Sequence, residues 1–163
     1  RLCRDWSSDV CSSDLVGFAR ALELMLSEFD TEVPRLAGLR DRLIVGVTST
    51  LENTEVTTPA RVRLPNIAPL LIKGVEGEAM LLQLDNKNIA VSTGSACSSG
   101  SLEPSHVLLS CGVPAEIAHG SLRLSLGRFT READIDYFLE VFPPIVERLR
   151  AMSPVYTRMF GSK

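Results

Sequence analysis

The sequence has little of several features that define whole classes of protein. Lys and Arg number 17 against 20 Asp and Glu, and only 6% of the residues are aromatic. Without a basic excess or a basic stripe interleaved with aromatic residues, nucleic acid is not an expected partner. No apolar run approaches the roughly 18 residues that a membrane span needs, and no signal-peptide pattern is present. We therefore expect no membrane association and a cytoplasmic location.

Cysteine is scarce and irregularly spaced. The four cysteines are Cys3, Cys11, Cys97 and Cys111, and they form neither a CxxC pair nor a Cys/His set with zinc-like spacing. A structural zinc site is therefore not predicted. Reduced thiols are the expectation for a cytoplasmic protein.

The chain has 163 residues, of which 45% are hydrophobic, and this composition predicts one globular domain with a real core. Residues 5–15, DWSSDVCSSDL, lack helical or strand periodicity and resemble one reading frame of a common sequencing adapter. We therefore expect residues 1–15 to be a non-native or disordered leader, and the native gene to continue upstream of Val16. A natural disordered arm is the alternative.

Hydrophobic periodicity predicts the elements of the first half. An amphipathic helical stripe begins after residue 16, and Pro34 is expected to kink or split this helix near Val33. RLIVGV (42–47) and residues 67–72 are predicted strands, separated by a polar connection, and residues 76–88 a helix. The stripe consists of Leu22, Leu26, Phe29, Val33, Leu36, Leu39 and Leu43.

In the second half, IAVST (89–93) and SLRLSLG (121–127) are predicted strands. Helices are predicted to begin at Pro104 and Pro114, and Thr130 is the expected N-cap of the final helix, which Pro143 and Pro144 should bend. The predicted fold class is α/β (α+β): a small mixed sheet covered by helices, with a long N-terminal helix. Residues 16–156 form the predicted domain and 157–163 a tail.

A segment of small residues surrounds Cys97. Ordering STGSACSSGS costs roughly 1–2 kcal/mol per residue, and Ser, Gly and Ala side chains bury too little apolar surface to offset that cost. We therefore expect a mobile loop that presents an exposed nucleophilic thiol after a strand. A Ser-rich surface loop with an incidental cysteine is the alternative.

Arg123 lies between Leu122 and Leu124 in an alternating strand pattern. A guanidinium among apolar residues needs a partner, and its planar fork suits a carboxylate. The alternative is an arginine on the solvent face of the strand.

Four segments together resemble the C-terminal part of the NifS/IscS-type cysteine desulfurases. They are VEGEAMLLQLD, STGSACSSGSLEPSHVLLSCGVP, AHGSLRLSLGRFTREADIDYF and RLRAMSPVY. The resemblance covers the chain from Val16 to about Tyr156. It implies the small C-terminal domain of the fold-type I, class V aminotransferase-like enzymes that use pyridoxal phosphate (PLP).

The resemblance implies a role for each matching residue. Cys97 matches the nucleophile that takes sulfur from L-cysteine as a persulfide, and Arg123 matches the arginine that holds the substrate's α-carboxylate. An iron–sulfur scaffold or another sulfur-acceptor protein is the implied partner, and a homodimer the implied assembly. A transient [2Fe–2S] cluster at Cys97 is compatible with this role.

No lysine of this chain matches the lysine that binds the cofactor in this family. Only Lys73, Lys87 and Lys163 are present, none in the family's cofactor context, and Lys73 fits a turn after a strand. PLP is therefore expected to be bound mainly by a large domain upstream, and this chain alone to be inactive. Two rival interpretations remain: a non-enzymatic sulfur-relay module, and an aminotransferase-like fragment that uses Arg123 but not Cys97.

The remaining candidates have weaker patterns. Cys111 is predicted to be structural, because it lies beside two leucines on a helix, and His106 to be a helix-surface or packing residue. His119 stands where the family often carries histidine, without an assigned role. Arg128 is expected near the substrate or partner entrance or on a solvated face.

Overall fold

The structure is a computed structural model that describes residues 12–93 and 104–161. It divides into two compact units, Arg1–Arg35 and Leu36–Lys163. Helix α1 (Ser12–Thr50) begins in the first unit and continues through Pro34. The predicted split near Val33 is therefore wrong: the helix accommodates the proline within its length.

The first unit is described by the part of α1 up to Arg35. Its surface carries ion pairs at helical spacing, Arg20–Glu23 at 2.9 Å and Arg35–Glu32 at 2.8 Å. Large apolar side chains of this segment are exposed, including Phe18 and Leu26. Residues 12–15 of the predicted leader form the start of α1, so these four residues are helical rather than disordered. Whether residues 1–15 are native stays a prediction, and residues 1–11 lie outside the described part of the chain.

The second unit contains the rest of α1 and all the described strands. Four strands, a short 3₁₀ helix and five further helices follow α1 in the described residues. In chain order they are β1 (Thr54–Val56), the 3₁₀ helix (Ala60–Val62), β2 (Ile67–Ile72), α2 (Gly77–Asp85), β3 (Ser92–Thr93), α3 (His106–Ser110), α4 (Ala115–Ala118), β4 (Ser121–Ser125), α5 (Glu132–Ala151) and α6 (Pro154–Phe160).

The four strands form one sheet in the order β1-β2-β4-β3. All three strand pairs are antiparallel, so within the described residues the sheet is antiparallel rather than mixed. The α+β class itself is confirmed, since helices and the sheet share one core. That core includes Leu43 and Val47 of α1, Met80 and Leu84 of α2, Leu70, Ile72, Leu122 and Leu124 of the sheet, and Phe138, Phe142 and Val146 of α5.

The segment RLIVGV is helical, and its prediction as a strand is wrong. Residues 42–47 belong to α1, where Leu39, Leu43, Val47 and the following Leu51 are all buried at spacings of four. Burial of this stripe stabilises the helical conformation of the segment, because packing of one helical face outweighs the modest β-preference of Ile and Val.

The final long helix begins later than predicted. Its N-cap is Arg131, whose backbone N–H donates to Asp134 Oδ2 at 2.8 Å. Thr130 instead accepts a hydrogen bond from the Gly127 N–H at 2.9 Å, so its hydroxyl closes the turn after β4. The helix continues through Pro143 and Pro144.

Two glycines allow β4 to lie close to its neighbours. A Cβ at Gly120 would lie 2.1 Å from the carbonyl oxygen of Ile72, a backbone atom that no rotamer change can move away. A Cβ at Gly77, the first residue of α2, would lie 2.8 Å from the Ser121 carbonyl oxygen and 3.1 Å from Thr93 Cγ2. The start of α2 is therefore fixed against the beginning of β4 and the end of β3.

Helix α6 is attached through the aromatic side chain of Tyr156, and an exposed ion pair joins its Arg158 to Glu116 of α4. The Arg150 guanidinium lies 4.7 Å from the centre of the Tyr156 ring, and the Asn53 side-chain amide donates to the Tyr156 hydroxyl at 3.4 Å. Arg150 is buried, and this desolvation lowers the pKa of its guanidinium. Gly74, with φ of +77°, has no Cβ to clash with the Tyr156 ring.

Candidate functional site

Strand β4 places Arg123 on the face of the sheet opposite the core. Leu122 and Leu124 are 1% and 5% exposed, whereas Arg123 and Ser125 are exposed. This alternation follows from the two-residue period of a strand, which sends successive side chains to opposite faces. The predicted strand is confirmed, and Arg123 lies on its solvent side.

Two strands flank Arg123 in register. Ser92 of β3 and Pro69 of β2 are its direct cross-strand neighbours. Directly opposed residues of an antiparallel pair project from the same face, with Cβ atoms roughly 4.5–5.5 Å apart. The Arg123 side chain therefore stands between a hydroxyl on one side and a proline ring on the other.

The Arg123 guanidinium has no hydrogen bond or ion pair to any residue among 12–93 and 104–161. Its side chain is exposed to solvent, so the expectation that it needs a protein partner is not met within this range. An exposed guanidinium on a rigid strand presents its fork to a ligand without first breaking an internal ion pair. The open face of the sheet is therefore suited chemically to binding a carboxylate.

His119 lies at the end of α4, shortly before the start of β4. His119, the C-cap of α4, accepts a hydrogen bond at its carbonyl from the Gly77 N–H at 2.8 Å. Its Nδ1 lies 3.9 Å from Glu76 Oε2. These contacts give His119 a place in the junction between α4 and α2, and they assign it no ligand.

Cys97 and the loop around it lie outside the described residues, so the mobility predicted for that loop stays a prediction. The structure describes the chain on both sides, up to Thr93 and again from Pro104. Thr93 is the last residue of β3 and pairs with Leu122, next to Arg123 on β4. The last described residue before Cys97 therefore lies directly beside the Arg123 position, and Cys97 follows it four residues later in the sequence.

The other candidates lie on the surface. Cys111 is a free, exposed thiol at the C-cap of α3, so its prediction as a structural residue is wrong: the helix ends there and turns it toward solvent. His106 is exposed at the first residue of α3, as a helix-surface position predicts. Arg128 lies 5.8 Å from the Phe129 ring centre, and both side chains are exposed.

The described lysines do not provide a site for PLP. A cofactor lysine must present a free amine at the reaction centre. Lys73 follows β2 directly and forms an ion pair with Glu55, and Lys87 is exposed after the end of α2. The turn position predicted for Lys73 is confirmed, and neither side chain fits the role of a cofactor lysine.

A cluster of metal-ligating side chains or a membrane-spanning helix would each point to a different function. In the part of the chain that the structure describes, no group of three or more His, Cys, Asp or Glu side chains is arranged to hold a metal ion. Within that part, none of the helices combines the length and apolar character required to cross a membrane.

A helix-backed antiparallel sheet with an arginine on its open face defines a small domain of the α+β class. The aminotransferase class-V family model matches residues 11–138, and the chain belongs to this family. The solved NifS-like protein from Rickettsia africae superposes with a TM-score of 0.70 at 30% identity, over 80% of this chain and 33% of its own.

Curated relatives include cysteine desulfurases from bacteria and archaea. The chain is 48% identical over 154 residues to cysteine desulfurase IscS of Clostridium botulinum, which covers 93% of this chain and 39% of that protein. It is 46% identical over 144 residues to cysteine desulfurase IscS 1 of Archaeoglobus fulgidus, covering 88% and 37%. The chain thus spans less than two fifths of the length of these relatives.

Sequence reasoning finds Arg123 but not its neighbours. Ser92 and Pro69 are respectively 31 and 54 positions from Arg123 by their numbers, and only strand register brings them beside it. The sequence carries no signal for this pairing beyond the presence of three strand-like segments.

Proposed function

We propose that this chain is the small domain of a PLP-dependent cysteine desulfurase. In this function Arg123 binds the α-carboxylate of L-cysteine, and Cys97 accepts the sulfur atom. The products are L-alanine and a persulfide on Cys97. The observation that carries the proposal is the exposed Arg123 guanidinium beside the strand that leads to Cys97.

Arg123 orients the substrate. Two parallel N–H donors bind the two carboxylate oxygens and fix the direction of the remaining substrate atoms. Because Arg123 is held in a strand between two others, this orientation loses little freedom on binding. The amine and thiol of the substrate then project away from the sheet.

In the proposed function, the short link from Thr93 allows Cys97 to reach a substrate held at Arg123. Covalent geometry limits four residues to about 14 Å, so the Cys97 Cα lies no farther than that from the Cα of Thr93. In the transfer, the Cys97 thiolate attacks the substrate sulfur and a new S–S bond forms as the substrate C–S bond breaks. The bonding pair stays on the substrate Cβ, which takes up a proton and becomes the methyl group of alanine.

PLP and the wider assembly are part of the proposal. PLP supplies an electron sink when bound, and its lysine belongs to sequence outside this chain. Sulfur leaves Cys97 for an iron–sulfur scaffold or another acceptor protein, with Cys97 as a transient [2Fe–2S] ligand. A cytoplasmic homodimer is the proposed state. The names of the cysteine desulfurase relatives support this function.

The test replaces Cys97 by alanine in the full-length protein that carries this chain. We expect alanine and sulfide release from L-cysteine to fall below about 1% of the parent rate, while PLP absorbance is unchanged. Cys111→Ala is the matched control, because Cys111 is a free and exposed thiol at the end of α3. Desulfuration that survives Cys97→Ala contradicts the proposal.

The carboxylate role of Arg123 has a separate readout. Arg123→Ala removes two charge-assisted hydrogen bonds, each worth roughly 1.5–3 kcal/mol, so KM for L-cysteine should rise at least about 100-fold. An unchanged KM would contradict the assignment of Arg123 as the carboxylate-binding residue. Persulfide formation on Cys97 from an added sulfur donor, without turnover of L-cysteine, would instead favour the sulfur-relay interpretation.

A further inference from the structure

The pairing of β3 with β4 gives Arg123 a polar neighbour that its sequence position does not reveal. Ser92 lies directly opposite Arg123, and it is half-buried where Arg123 is exposed. We propose that the Ser92 hydroxyl is a second ligand of the substrate carboxylate bound at Arg123. This proposal rests on the proposed function, because it uses the same carboxylate.

Two independent observations place Ser92 on the Arg123 face. The register pairs Ser92 with Arg123 and Thr93 with Leu122, a core residue. Thr93 Cγ2 also lies 3.1 Å from the Cβ position of Gly77 on α2, so Thr93 faces the helices. Since adjacent strand residues face opposite ways, Ser92 faces the open side with Arg123.

The Ser92 hydroxyl is also chemically matched to this position. An arginine has only donors and an ionised carboxylate has only acceptors, whereas a hydroxyl can both accept and donate. Ser92 can therefore accept an N–H from Arg123 and donate its O–H to a carboxylate oxygen. Pro69, on the other side, has no side-chain polar group and no N–H, so it cannot replace Ser92 in this role.

Ser92 is available for this contact. In the described ranges, 12–93 and 104–161, the structure shows no side-chain hydrogen bond from Ser92 and none from Arg123. Neither group has to break an existing bond within those ranges to bind a ligand. The two side chains together form a three-donor carboxylate site, two donors from the guanidinium and one from the hydroxyl.

The experiment measures KM and kcat for L-cysteine in the full-length protein. Ser92→Ala should raise KM about tenfold and leave kcat within about twofold, because one hydrogen bond to a charged group is lost. Ser92→Thr keeps the hydroxyl and should restore KM to within about threefold. Ser125→Ala is the matched control: Ser125 lies exposed on the same face of β4, opposite Ile67 rather than Arg123.

A second readout separates carboxylate binding from any effect on sulfur transfer. L-alanine carries the same carboxylate without a thiol, so its inhibition constant should rise about tenfold in Ser92→Ala, like KM. A lower kcat with unchanged L-alanine inhibition would overturn the proposal and would attribute the effect to Cys97 instead. An unchanged KM in Ser92→Ala would also overturn it.

Arg123→Ala distinguishes this proposal from the proposed function. If Arg123→Ala raises KM and Ser92→Ala does not, the assignment of Ser92 as a second ligand is wrong, and the assignment of Arg123 as the carboxylate-binding residue is supported. If neither substitution changes KM, the carboxylate site itself is wrong.

Discussion

The two faces of the sheet differ in what their side chains do. On β4, Leu122 and Leu124 enter the core, while Arg123 and Ser125 between and after them are exposed. Helices α1, α2 and α5 contribute to the core on the first side. Apolar burial on that side stabilises the sheet, and Arg123 on the other side takes no part in that core. The core packing and the proposed carboxylate site are thus separated at neighbouring residues.

The largest expected effect on stability comes from comparing substitutions at two adjacent residues of β4. Leu122→Ala should lower the free energy of unfolding by about 2–5 kcal/mol, since Leu122 is 1% exposed and its removal leaves a cavity. Arg123→Ala should change it by less than about 0.5 kcal/mol. Urea unfolding of the two variants measures both values. A cost above about 2 kcal/mol for Arg123→Ala would show that the open face also supports the fold.

The two ends of β4 provide a smaller contrast. Gly120→Ala should destabilise by about 1–3 kcal/mol, because the new Cβ meets the Ile72 backbone carbonyl and not a movable side chain. Gly127→Ala is its control, since a Cβ there has no neighbour within 4 Å. Thermal unfolding of both variants gives the comparison. Equal midpoints would mean that the approach of β4 to β2 relaxes without cost.

The smallest expected change in stability comes from loosening the attachment of α6. Tyr156→Ala removes the ring beneath the Arg150 guanidinium and should cost about 0.5–2 kcal/mol. Tyr156→Phe keeps the ring and should change stability by less than about 0.5 kcal/mol. Amide hydrogen exchange of α6 should accelerate in the alanine variant alone. Faster exchange in both variants would attribute the attachment to the hydroxyl contact with Asn53.

Local patterns predict most of the second unit. The alternation of SLRLSLG identifies β4, and the apolar residues 67–72 identify β2. The error at RLIVGV arises because its β-branched residues favour a strand locally, whereas a buried spacing continues from Leu43 through Val47 to Leu51. Following the helical stripe for two further positions identifies the helix instead.

The candidate site is also only partly predictable from the sequence. Arg123 can be found from sequence because one charged residue stands between two leucines in an alternating strand. Ser92 cannot be, because its position beside Arg123 depends on which residues of two distant strands pair. The roles of Cys97 and Arg123 stay predictions until the substitutions are made.

The outer strands of the sheet are short, three residues in β1 and two in β3. An exposed strand edge offers unpaired N–H and C=O groups to other molecules, and a long one recruits foreign chains. With so little backbone at either border of the described sheet, a foreign chain finds few N–H and C=O groups to pair with, so the addition of a foreign strand is disfavoured at both edges.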